Sequence, residues 1–263
     1  MTKVLVQRSH DARFTEILSA LRESFETIVS SDPELGEAID KHRREIAGFV
    51  LFHSTERTTR ASRLLLDERF NVPTTPMAYL GPFGRETRLP YGVVPFAGSS
   101  SSELVAFLSS PRRVRVLVVE DDDGIRDVLR LSLSRHFDVQ TATDGAQALE
   151  RLADATYEAV VLDVMLPRVG GDELFRHLRE TAPDTAVLVI TAYDTEERAL
   201  DFAFRGADGY LAKPFDSNRA FRQKLVEALC RRHEHVLEDS RTRQTNETDD
   251  AWRAYRKRLG VYA

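Results

Sequence analysis

Val114-Arg115-Val116-Leu117-Val118-Val119-Glu120-Asp121-Asp122 reads as one buried strand that ends in carboxylates. Apart from Arg115, the run Val114–Val119 is apolar at every position, as a strand covered by helices on both faces requires. The period then changes: Ile125, Val128, Leu129 and Leu133 fall on one side of a helix. The alternation continues downstream. Strands are expected at 138–141, 159–162, 186–190 and 209–211, and helices at 146–153, 172–180, 196–204 and 220–231. Alternating strand and helix implies a parallel sheet with helices on both faces. Right-handed crossovers then bring the loops after the strands to one edge of that sheet.

Upstream, the same series recurs with parts missing. Lys3-Val4-Leu5-Val6 mirrors Arg115-Val116-Leu117-Val118, and Ile17 and Leu21 fall opposite Leu129 and Leu133 at the same offset. Phe49-Val50-Leu51 mirrors Val160-Val161-Leu162, and Pro95-Phe96 mirrors Pro214-Phe215. A repeat far longer than a solenoid unit indicates two similar domains. The fold class is α/β: two tandem doubly wound domains, each on a five-stranded parallel sheet. The first is expected to lack a helix, because Gly81, Pro82, Gly84 and Pro90 break the segment between Leu80 and Tyr91. The expected organisation is a first domain at 1–110, a brief linker around Ser109-Ser110-Pro111, a second domain at 112–235 and a polar tail at 236–263. Glu238 to Asp250 holds no apolar residue and reads as solvated chain. Trp252, Tyr255, Leu259 and Tyr262 share a face if the end is helical.

Bulk composition narrows the function classes. Of the 263 residues, 42% are hydrophobic and 30% charged, with a net charge of -5. That balance argues against nucleic acid or an acidic membrane surface as the main partner. The single cysteine, Cys230, excludes an internal disulfide and fits a reducing compartment. No stretch reaches the ~18–20 apolar residues of a membrane span. The first residues form a charged strand and not a signal peptide, so the expected location is the cytoplasm.

The polar residues at the strand ends carry the chemistry. Glu120 and Asp121 follow the first strand of the second domain, Asp163 ends the third, Thr191 ends the fourth and Lys213 follows the fifth. In a doubly wound sheet these points converge on one crevice, beside the switch in strand order. Carboxylates that close repel and take up protons unless a cation joins them. Hard oxygens in an incomplete cage suit Mg²⁺, which keeps waters and accepts phosphate oxygens. Phosphoryl transfer needs the equatorial oxygens neutralised and the nucleophile held in line. Taken singly, each residue has a plainer reading. Glu120 and Asp121 could be helix-start acids, Thr191 a β-branched strand residue, Tyr210 core and Lys213 solvated.

Together, Val118-Val119-Glu120-Asp121-Asp122, Leu162-Asp163-Val164-Met165-Leu166-Pro167, Ile190-Thr191-Ala192 and Ala212-Lys213-Pro214-Phe215 resemble the motifs of response-regulator receiver domains. Gly206-Ala207-Asp208-Gly209-Tyr210 resembles that family's run into its last strand. The resemblance covers about half the chain and implies a flavodoxin-like, CheY-like fold. It implies that Asp163 accepts phosphate from a histidine kinase or phosphotransfer protein. Asp121 would ligate Mg²⁺ directly, Glu120 partly through water, and Asp163 and the Met165 carbonyl would complete the protein ligands. Lys213 would pair with a phosphoryl oxygen, Thr191 would bond another, Tyr210 would turn inward as a switch, and the Lys213–Pro214 bond would be cis. Met165 and Tyr193 occupy positions that tune hydrolysis in the family, and neither orients a water well, which implies a slow autodephosphorylation. The protein would be no metabolic enzyme, catalysing only its own phosphorylation and dephosphorylation. Its output would pass through contacts with a downstream protein or a second copy of the chain. Two other classes stay open: a phosphate sink or relay module, and a DNA-binding regulator using the first domain or the basic tail.

The first domain is empty of this chemistry. Glu120 and Asp121 align with Arg8 and Ser9, Asp163 with Phe52, Lys213 with Val94, and Gly81 lies nearest to Thr191. A phenylalanine cannot accept phosphate, so this half reads as a degenerate pseudo-receiver. It is expected to be a protein-interaction module, with an apolar patch around Met77, Tyr79, Phe83 and Tyr91. His10, His53 and the pair His233 and His235 read as plain polar residues and not as ligands.

Overall fold

In the computed structural model of the chain, the described residues hold ten parallel strands in two sheets. The structure describes residues 3–42, 45–52, 75–81, 93–95, 100–109, 113–192, 196–215 and 217–243. The chain divides into two units, one built on Met1–Arg112 and the other on Arg113–Val236.

In the first unit the strands are β1 (Lys3–Gln7), β2 (Glu26–Ser30), β3 (Ile46–Phe52), β4 (Met77–Leu80) and β5 (Val93–Pro95). The helices described with them are α1 (Phe14–Ser24), α2 (Leu35–His42) and α3 (Ser101–Ser109). The strand order is β2-β1-β3-β4-β5. Ile17 and Leu21 of α1, and Leu104 and Leu108 of α3, cover the face formed by Val4, Val6, Val50 and Ala78. The segment expected to lack a helix lies outside the described residues.

The second unit holds β6 (Arg115–Val119), α4 (Asp123–Ser134), β7 (Asp138–Ala142), α5 (Gly145–Asp154) and β8 (Ala159–Asp163). It continues through α6 (Gly171–Thr181), β9 (Ala186–Thr191), α7 (Glu196–Phe204), β10 (Gly209–Ala212) and α8 (Asn218–Arg243). Its sheet runs β10-β9-β8-β6-β7, so in both units the order is second, first, third, fourth, fifth. The switch in order falls beside the first strand, which places a crevice at the carboxyl ends of β6 and β8. All six side chains of β9 and all five of β8 are buried, as interior strands between two helical layers must be.

Two sequence expectations are corrected, and one helix is longer than expected. Helix α8 runs to Arg243, longer than the helix expected at 220–231, while the second unit ends at Val236, where the tail is expected to begin. Met77 and Tyr79 do not form an exposed patch: both are fully buried. Strand β4 is interior, paired with β3 on one side and β5 on the other, so its side chains enter the core. Burial pushes the Tyr79 hydroxyl up to about 12. Phe83 and Tyr91, the rest of that patch, lie outside the described residues. The second correction concerns the match of Lys213 with Val94. Val94 pairs with Ala78, which pairs with Val50, which pairs with Val6. The corresponding chain in the second sheet is Gly209, Leu188, Val161 and Val118. Val94 therefore stands at the position of Gly209, and Pro95 at that of Tyr210. A shared Pro-Phe pair misled the alignment, and the position matching Lys213 lies outside the described residues. Among the described residues, no helix is long and apolar enough to cross a membrane.

Candidate functional site

Strand β6 ends at Val119, and the chain turns immediately into α4. Asp122 caps that helix, accepting the Ile125 N–H at 2.8 Å. The capping role therefore belongs to Asp122 and leaves Glu120 and Asp121 for other work. Arg126, one turn into α4, donates to the carbonyls of Glu120 at 2.9 Å and Asp121 at 3.2 Å, which fixes the turn. Asp163 is the last residue of β8, one strand over, and Met165 folds back so that its N–H donates to Asp163 Oδ1 at 2.9 Å.

Lys213 reaches in from the loop after β10. Its Nζ donates to Glu120 Oε2 at 2.6 Å and to Asp163 Oδ2 at 2.7 Å. The three side chains are 12%, 1% and 4% exposed respectively, so these ion pairs are shielded from solvent. The Lys213–Pro214 bond is cis, as expected. The Lys213 N–H bonds the Thr191 carbonyl at 2.8 Å, and Thr191 is buried at the end of β9. Tyr210 is half-buried against the core between the sheet and α5, α6 and α7. Tyr193 lies outside the described residues.

Electrostatics follow from this crowding. Burial pushes the Glu120 carboxyl above the usual range; Lys213 pulls it back and Asp163 pushes it further up. Burial alone would lower the Lys213 ammonium, but its hydrogen bonds to Asp163 and Glu120 outweigh that and leave it raised. Oxygens of Glu120, Asp121 and Asp163 lie within 4.8 Å of one another, a set that could hold a metal ion. All three donors are carboxylates, which suits a hard divalent cation such as Mg²⁺. The arrangement offers one nucleophilic carboxylate flanked by an ammonium and a divalent-cation seat, the components phosphoryl transfer uses.

Residues 116–225 match the family described as the response regulator receiver domain. This segment is a receiver domain. The chain is 48% identical over 103 residues to a response regulator MprA of Mycobacterium sp. (strain KMS), covering 39% of this chain and 45% of that one. It is 40% identical over 139 residues to the response regulator MprA of Mycobacterium avium, covering 52% of this chain and 55% of that one. The chain thus spans about half the length of the curated relatives it matches. A solved structure of the response regulator protein TrrA from Thermotoga maritima, in complex with Mg²⁺-BeF, is 28% identical; it covers 44% of this chain and 98% of that one, with a TM-score of 0.40.

The first unit can be compared with the receiver domain strand by strand. Arg8 N–H bonds the Ser30 carbonyl at 2.7 Å as Glu120 N–H bonds Ala142 at 3.1 Å, so Arg8 stands at the Glu120 position. Phe52 ends β3 where Asp163 ends β8. Its ring is 3% exposed and meets Phe14 edge-on, 5.4 Å between centroids. The buried Gln7 side chain accepts the Phe52 N–H at 3.0 Å. Where the receiver domain ends its third strand in a carboxylate, the first unit has a buried ring packed on a second ring, with the Gln7 amide on its backbone. The sequence places Phe52 at the strand end and Phe14 on the apolar face of the first helix; the part of Gln7, and the contact between the two rings, depend on which side of the sheet edge each covers. Phe52→Asp should therefore not install an acceptor. It should put an unpaired carboxylate against Phe14 and lower the stability of this unit by about 3–5 kcal/mol. Chemical denaturation of the full chain should show an earlier first transition.

Proposed function

We propose that the protein is a two-component response regulator that takes a phosphoryl group onto Asp163 from a histidine kinase or phosphotransfer protein. The observation that carries this reading is the convergence of Glu120, Asp121, Asp163 and Lys213 at the carboxyl edge of a sheet in a receiver-domain segment. One Asp163 carboxylate oxygen attacks phosphorus as the bond to the donor's leaving atom breaks, giving an acyl phosphate. Lys213 Nζ, already on Asp163, follows the charge to a phosphoryl oxygen. The Thr191 hydroxyl accepts the role of second donor from the end of β9, and Tyr210 responds behind it. Glu120, Asp121, Asp163 and the Met165 carbonyl would hold Mg²⁺, which when bound neutralises phosphoryl oxygens. The output passes through protein contacts, and the first unit, with Phe52 at its strand end, takes no phosphate.

The test is incubation of the full chain with acetyl phosphate, with and without Mg²⁺, followed by intact-mass measurement. One phosphoryl group should be added, and only with the metal. Labelling should weaken as pH falls, because Glu120, with its raised pKa, protonates earlier than an ordinary carboxylate and no longer serves the cation. Equal labelling in a chelator would refute the metal's part in the reading.

A further inference from the structure

Asp163 is joined to α6 by a seven-residue loop, 164–170, that docks on the neighbouring β7–α5 junction. Among the described residues, Arg168 in this loop is the one non-glycine with positive φ, at 66°. An L side chain rarely adopts that conformation, so something must hold it there. The Arg168 guanidinium is ion-paired with Asp144 Oδ2. Arg168 is 71% exposed while Asp144 is only 4% exposed, so a solvent-facing arginine is tied to a fixed, buried anchor. Asp144 itself caps α5, accepting the Gln147 N–H at 3.0 Å, and the Thr143 hydroxyl donates to it at 3.2 Å. The Gln147 N–H is the main reason that its carboxyl lies below the usual range, which keeps it an anion at neutral pH.

The next residue pair repeats the contact. A Cβ at Gly145 would lie 2.4 Å from the Val169 carbonyl oxygen, so only glycine lets the loop sit this close to α5. The other end of the loop is fixed as well. Val164 N–H bonds the Ile190 carbonyl at 3.2 Å, and Met165 N–H bonds Asp163 Oδ1 at 2.9 Å. Between the two anchors remain Leu166 and Pro167, and proline has its own φ locked. The orientation of the Met165 peptide is therefore set by both ends.

We propose that Arg168 is a positioning residue for the receiver site: paired with Asp144, it holds the 164–170 loop so that the Met165 carbonyl stays in place as a cation ligand. This rests on the function proposed above. The direction of the effect separates positioning from simple charge. Arg168 is a cation on a loop bordering an acidic site, so through the electrostatic field alone its removal would tighten Mg²⁺ binding. Loss of positioning weakens it.

The experiment is calorimetric titration of the full chain with Mg²⁺, alongside thermal unfolding. Arg168→Met should weaken binding roughly 10-fold, the low end for residues that orient metal ligands. Arg168→Lys, which keeps the ion pair, should stay within about 2-fold of the unaltered chain, since an ammonium can replace the guanidinium at one carboxylate oxygen. Arg168→Gly should also weaken binding, while its unfolding temperature holds or rises because glycine accepts positive φ. A merely structural arginine would not move binding and stability in opposite directions. The Arg168→Met/Asp144→Asn pair should bind no more weakly than Arg168→Met alone, since one interaction is lost only once. Should Arg168→Met fail to fold, Arg168→Gly carries the same comparison. Unchanged or tighter Mg²⁺ binding by Arg168→Met and Arg168→Gly would overturn the inference and leave the proposed function standing. An unaltered chain that binds no Mg²⁺ would bring down both.

Discussion

Asp163→Asn should reduce phosphoryl incorporation from acetyl phosphate to background while leaving the chain folded. Asparagine has nearly the shape of aspartate, and its Oδ1 can still accept the Met165 N–H that now bonds Asp163 at 2.9 Å. Lys213 keeps its hydrogen bond to Glu120 at 2.6 Å, so the ammonium is not orphaned. The lost property is nucleophilicity: an amide oxygen carries no full charge to attack phosphorus. The unfolding midpoint should therefore move little while labelling disappears. The same variant tests the first unit, because any residual labelling would have to lie elsewhere in the chain. Intact-mass and peptide-level mass spectrometry of the full chain read both results. Labelling at the unaltered level would remove Asp163 from the mechanism.

Much of the site was legible because its residues lie at strand ends, and strand ends are where apolar runs stop. Val116–Val119 stops at Glu120, Ala159–Leu162 at Asp163, and Ala186–Ile190 at Thr191. The sheet order then brings these ends to one edge. The duplication of the fold was legible for the same reason, since β1 and β3 repeat the runs of β6 and β8. Short strands carry less information. Strand β5 has three residues, and its register slipped in the alignment because a Pro-Phe pair matched better than the pairing geometry did.

Long-range polar partners were the other omission. The run Thr143-Asp144-Gly145 after a strand is an N-cap signal. It points to the cap and not to the ion pair with Arg168, which depends on where a separate loop passes. Asp208 lies within the run Gly206-Ala207-Asp208-Gly209-Tyr210. Its carboxylate is 1% exposed at the start of β10, at the sheet edge opposite the site. Nothing in the local sequence tells that Arg179, on α6, and Arg232, on α8, converge on it.

That convergence gives the second large expected effect: Asp208→Ala should destabilise the receiver domain by about 3–5 kcal/mol, the cost of breaking a buried ion pair by removing one partner. Asp208 Oδ1 is ion-paired with Arg232 Nε at 2.9 Å; Oδ2 accepts the Val187 N–H at 2.8 Å and is ion-paired with Arg179 Nη2 at 3.6 Å. The two guanidiniums are 15% and 16% exposed. Burial, with Arg232 beside it, brings Arg179 down to about 10 despite the opposing pull of Asp208. Burial likewise raises Asp208 above the usual carboxylate range, against the pull of Arg232, Val187 and Arg179. The desolvation of the cluster thus offsets much of its attraction, and the intact triad adds little net stability. The expected loss comes from what is left behind. Without Asp208, two buried cations face each other, and the Val187 N–H at the start of β9 loses its acceptor. Arg179 would keep the Thr185 carbonyl at 2.9 Å and Arg232 the Gly206 carbonyl at 2.6 Å, which hold them in place but supply no counter-charge. Asp208→Asn should cost less, because its amide oxygen can still serve Val187. Adding Arg232→Met to Asp208→Ala should recover part of the loss by removing one orphaned cation. Denaturant unfolding of the four proteins measures this order. Equal stability of Asp208→Ala and the unaltered chain would mean that the arginines reach solvent when Asp208 is gone, and that the triad does not fasten α8 to the sheet.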